Sequence, residues 1–65
     1  MYLVTTTSHG GRRWYLRRGG SHTTDRGAAW CFTTSLAAAS ALARKRLACE
    51  IDSAWHHGTI ITLDR

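Results

Sequence analysis

The sequence predicts a small α+β domain: a mostly antiparallel sheet, in the order β-β-(β)-α-β, with one helix packed on one face. Three observations carry this. Residues 1–7, 12–18 and 59–63 are rich in β-branched and aromatic side chains. An alanine- and leucine-rich run opens behind the hydroxyl residues Thr33, Thr34 and Ser35, and the punctuation between runs is glycine, since proline is absent. A single helix laid on a small sheet is the layered solution for such an order. The 65 residues predict one domain, 1–65, because a chain this short buries only about 60% of its unfolded surface and has no room for a second core.

Taken in order, residues 1–7 predict a first strand, and Ser8-His9-Gly10-Gly11 a hairpin turn. Residues 12–18 read Arg-Arg-Trp-Tyr-Leu-Arg-Arg. Alternation along a strand places Trp14 and Leu16 on one face, with Arg13, Tyr15 and Arg17 on the other. Residues 21–27 are polar and loop-like. Residues 28–32 form a short apolar run, serving either as a strand or as the approach to the helix. The helix begins at 33–35, and its end falls between Leu47 and Ile51. Leu36, Ala39, Ala43 and Leu47 recur at helical spacing, which predicts that this stripe packs on the sheet. Arg44, Lys45 and Arg46 fall near the helix C-terminus, where cations suit the dipole. Trp55-His56-His57-Gly58 predicts a turn, and residues 59–63 a last strand.

Nine basic residues against four acidic ones give a net charge of +5 and a pI near 10.3. That sign predicts acidic partners, either nucleic acid or an acidic protein surface, and excludes a protein that imitates DNA. Arginine dominates, and Lys45 is the only lysine. Arg12, Arg13, Arg17 and Arg18, interleaved with Tyr15, are the candidate binding residues, because positive groups hold phosphates and flat rings stack on bases.

Other chemistry has thin support. The acidic residues are Asp25, Glu50, Asp52 and Asp64, and the contiguous Ser21, His22 and Asp25 do not converge on one reacting atom. His9, His22, His56 and His57 lack the ligand spacing of a metal site, as do Cys31 and Cys49. The expectation is therefore a non-enzymatic protein with no metal and no cofactor. The cysteines are expected as two buried free thiols. No run reaches the ~20 apolar residues of a membrane span, and no secretory signal pattern opens the chain, so no membrane partner and a cytoplasmic location are expected.

Two resemblances add to this. Residues 14–22, Trp-Tyr-Leu-Arg-Arg-Gly-Gly-Ser-His, resemble the stretch of HicA-type mRNA interferase toxins in which a strand leads to Gly-Ser-His. That resemblance implies a catalytic role for His22, although those toxins carry a helix before this strand. More broadly, the layout resembles small phage-encoded anti-CRISPR proteins: Tyr15-Leu16, Thr24-Asp25, Phe32-Thr33-Thr34, the helix from Leu36, and His57-Gly58-Thr59-Ile60-Ile61. It implies a phage or mobile-element inhibitor that binds a bacterial CRISPR effector complex and blocks loading of target DNA. A small basic nucleic-acid-binding module is the alternative. Either form is expected as a monomer or small homo-oligomer.

Overall fold

A computed structural model describes residues 1–63. β-Branched side chains hold Tyr2–Thr7 extended as β1, and Arg13–Leu16 returns beside it as β2. The turn between them is closed by Ser8 N–H donating to the Arg12 carbonyl at 2.8 Å. A second reversal at 17–21 leads into the short strand β3, His22–Thr23. It turns on Gly19 and Gly20, whose φ values of +91° and +94° strain any residue with a Cβ. After the helix α1, Ser35–Ala48, the chain closes with β4, Thr59–Thr62. The sheet is antiparallel throughout, in the order β3-β2-β1-β4, with β1 and β2 inside. This is the predicted α+β architecture.

The register separates the two sheet faces. Thr6 lies opposite Trp14 and Thr5 opposite Tyr15, while Val4 lies opposite Ile60 and Leu3 opposite Ile61. Val4, Leu16, Phe32, Ala38, Leu42 and Trp55 form the core, so α1 covers the face bearing Val4 and Leu16. Residues 28–32 resolve into the end of a short 3-10 helix, Arg26–Ala28, and one bridge. Phe32 and Tyr2 exchange two backbone hydrogen bonds of 2.8 Å.

The helix starts where its hydroxyl residues predict. Thr34 is the N-cap, its Oγ1 accepting from Ala37 N–H at 3.1 Å. It ends at Ala48 with Cys49 as the C-cap, at the near end of the predicted range. The packed face is not the predicted one. Ala38 and Leu42 are buried, whereas Leu36, Ala39, Ala43 and Leu47 are all exposed. With alanine at six positions of α1, the pattern holds little contrast, and two outward leucines outweigh the single inward Leu42. What selects the face is that Leu42 and Ala38 sit one turn apart and meet Val4, Leu16 and Trp55 together.

The thiols also depart from expectation. Both are free, but Cys31 is exposed and Cys49 is half-buried. Cys31 stands between Trp30 and Phe32, whose rings stack inward with centroids 4.4 Å apart. Alternation turns the residue between them outward. The predicted turn 55–58 is a 3-10 helix, Ala54–His57, that buries Trp55. Among the described residues, no helix is long and apolar enough to cross a membrane.

Candidate functional site

The candidate site is built on β2. Leu16 is buried on the helix side, Arg13 is exposed and Tyr15 half-buried on the other, and Arg17 is exposed one residue past the strand's end. The core side chains of α1 and of the 55–58 turn lie on the Val4 side, so among the described residues the Tyr15 side carries no helical layer. Leu3 and Thr5 on this side of the central strand are nonetheless buried. They are flanked by the half-buried Ile61 and Tyr15, which the register sets opposite them. Thr5 also satisfies its own hydroxyl by donating to the Trp14 carbonyl at 2.8 Å. The result is a face with Leu3 and Thr5 buried at its central strand, the half-buried Tyr15 beside them, and an arginine two residues to either side of Tyr15 in sequence.

The other two candidate arginines are placed elsewhere. Arg12 is exposed in the β1–β2 turn, where its carbonyl and N–H are both engaged by Ser8. Arg18 lies beyond β2, with its guanidinium 5.3 Å from the centroid of the Trp30 ring. The structure thus puts Arg13 and Tyr15 on one face, with Arg12 and Arg17 exposed just beyond the two ends of β2. Trp30, which receives Arg18, belongs to a different feature, a groove of about 730 Å³ between α1 and the β2–β3 turn. That groove is lined by Leu16, Trp30, Phe32 and Ala41, with Arg44 and Lys45 at its side. Sequence reasoning missed it, because Trp30 and the helix come together only in three dimensions.

The basic cluster on α1 is mostly committed to structure. Lys45 Nζ donates to the Gly20 carbonyl at 2.5 Å and lies 5.6 Å from the Trp55 ring centroid. Arg46 donates to the Trp55 carbonyl at 3.4 Å and the Gly58 carbonyl at 3.2 Å. These two cations fasten the helix to the turns on either side of it, and Arg44 alone of the three is exposed.

His22 sits on β3 opposite Leu16, on the helix side. Its ring meets Trp14 edge-on at 4.8 Å and lies 6.3 Å from Trp55, in a second cleft of about 330 Å³ that Lys45 and Cys49 also line. His56 Nε2 donates to the Glu50 carbonyl, 2.8 Å away, and so braces the loop before β4. Among the described residues, no three His, Cys, Asp or Glu side chains gather as metal ligands, and Asp64 lies outside those residues. Comparison with family models, with curated proteins and with solved structures finds no match.

Proposed function

We propose that this chain is a binding protein that acts through the open face of its sheet, with single-stranded nucleic acid as its ligand. One observation carries the proposal: Arg13 and Tyr15 share the sheet face opposite the helix, with Arg17 exposed one residue past the strand. A ring offers a stacking platform for any base, and guanidiniums on either side track the phosphates of the same strand. The net charge of +5 adds long-range attraction. The work is stoichiometric, because nothing in this face breaks or makes a bond.

A second reading keeps the same face and changes its setting. In it the protein is a phage-borne inhibitor, and the arginine face docks on the nucleic-acid-handling surface of a CRISPR effector complex, preventing target DNA from loading. It is favoured by the layout of hairpin, polar loop, capped helix and His-Gly-Thr turn into the last strand, the features that resemble anti-CRISPR proteins.

One set of measurements separates them. Fluorescence anisotropy with a labelled single-stranded oligonucleotide should show binding that weakens with salt. Arg13→Ala/Arg17→Ala should melt like the parent while its salt slope falls by about 1.4, the loss of two phosphate contacts on a single strand. Tyr15→Ala should weaken binding with the slope unchanged. A parent that retains no oligonucleotide at low salt overturns the first reading. Restored phage plaquing on a CRISPR-positive host, lost in the double arginine variant, would then establish the second.

A further inference from the structure

The groove between α1 and the β2–β3 turn takes no part in the sheet face, and its walls explain why the chain leaves it open. The helix borders it with Ala37, Ser40, Ala41 and Ala48, and the turn with Gly19 and Gly20. None of these side chains is large enough to cross it. Its floor is Leu16 and Phe32, both buried, with the half-buried Trp30 beside them. The helix wall from Ala37 to Ala48 is roughly 16 Å long at about 1.5 Å per residue. A volume of about 730 Å³ is that of a small-molecule site.

We propose that this groove binds a small amphipathic anion, an unbranched alkyl carboxylate, with its chain along the apolar floor and its head group at Arg44. Charge selects the head group. Of the described residues that line the groove, Arg44 and Lys45 alone are charged, and both are cations. Arg18 adds a third positive charge, 5.3 Å from the centroid of the Trp30 ring. Lys45 donates to the Gly20 carbonyl and so holds the turn against the helix. Arg44 is exposed and makes none of the carbonyl bonds that engage Lys45 and Arg46. Its planar fork of N–H donors matches a carboxylate.

The rest of the lining selects the body of the ligand. The Phe32 ring, 4.4 Å from Trp30 between centroids, and the Arg18 guanidinium already compete with any flat ligand for the Trp30 ring. Ser40 carries the one uncharged polar side chain among the described lining residues, so no set of donors and acceptors is present to read the edge of a base. An alkyl chain needs neither, and it gains in proportion to the apolar surface it covers. A cationic head is repelled at Arg44, and a neutral one leaves that guanidinium unused. Leu16 reaches the groove from the side of the sheet opposite Tyr15, so the site does not depend on what the sheet face binds.

Isothermal titration of the full chain with decanoate, kept below its micelle concentration, tests this. A single decanoate should bind per chain, decanol more weakly, and decyltrimethylammonium not at all. Octanoate should bind about tenfold more weakly than decanoate, the ratio that two buried methylenes supply. Arg44→Gln should weaken decanoate about threefold and leave decanol unchanged, whereas Arg26→Gln, the same loss of charge at an exposed position outside the groove, should change neither. Ala37→Leu fills the groove from an exposed helix position, so it should weaken both ligands while the melting temperature holds. A decanoate brominated at its tail should quench Trp30, and Trp30→Phe should abolish the quenching, because Trp14 and Trp55 line the other cleft. No binding at millimolar decanoate, several equivalent decanoates per chain, equal affinity for the decyl cation, or quenching that survives Trp30→Phe overturns the proposal. So does a mononucleotide that displaces decanoate by binding more tightly.

Discussion

Gly58 sits where α1, β1 and the 55–58 turn converge, and adding one methyl group there tests the packing directly. It is buried, and a Cβ would come within 2.9 Å of Leu42 Cδ1, 3.1 Å of the Trp55 carbonyl oxygen and 3.4 Å of the Thr5 carbonyl oxygen. Its φ of −63° and ψ of 152° suit any residue, so alanine meets a steric problem and no backbone one. The Leu42 methyl can swing only within a core that is already filled, and the carbonyls are held. Trp55 O accepts from both Gly58 N–H and Arg46 Nε. Overpacking of this kind costs about 1–3 kcal/mol, and alanine returns about 0.4–1 kcal/mol by restricting the unfolded chain. The net loss for Gly58→Ala is about 1–2 kcal/mol, a fall in melting temperature of about 5–15 °C for a domain of this size. Thermal melts followed by far-ultraviolet circular dichroism measure it. Gly10→Ala is the control, because its Cβ meets nothing nearer than Ser8 Oγ at 3.9 Å, and it should melt within about 3 °C of the parent. In a Leu42→Val background the added cost of Gly58→Ala should shrink by about 0.5 kcal/mol or more. A Gly58→Ala protein that melts at or above the parent refutes the close approach.

The same chemistry at two helix positions separates the inward face from the outward one. Ala38→Leu should destabilise by about 1–3 kcal/mol, since Ala38 is fully buried, while Ala43→Leu should stay within about 0.5 kcal/mol in urea titrations at dilute concentration. The reverse order would mean that the helix is rotated. The cysteines give a third expectation: in the native protein Cys31 reacts with a thiol reagent first, and Cys49, half-buried beside Trp55, reacts more slowly. Equal rates would contradict the burial assigned to Cys49.

The elements whose side chains contrast strongly were legible in the sequence. On β2 an arginine or tyrosine alternates with a tryptophan or leucine, so the two faces could be told apart from residue type. The helix start was equally plain, because Thr34 has the oxygen that an N-cap needs and alanine follows it. The helix orientation was not. A spacing rule sees that Leu36 and Leu47 share a stripe with two alanines, and it cannot see that the sheet offers its cavity to Leu42 instead. The arginine set was partly legible for a related reason. Alternation holds while the chain stays in the strand, so Arg13 and Tyr15 share a face as expected. Arg18 lies past the strand end, where the turn decides its direction, and Trp30 receives it.

Strand β1 is synthesised before both of its neighbours in the sheet, and both are needed to finish it. β2 follows within a few residues, but β4 must arrive after the whole helix, and its pairing runs from Thr5↔Thr59 to Tyr2↔Thr62. Leu63 N–H extends the ladder by donating to the Met1 carbonyl at 2.7 Å. Until that last strand docks, the nascent hairpin carries a bare edge of threonine, valine and leucine along its inner strand, the kind of edge that recruits other chains. Pairing across so much sequence is slow to form, because loop closure precedes any reward. The hairpin therefore waits through synthesis of the helix with its inner strand unprotected.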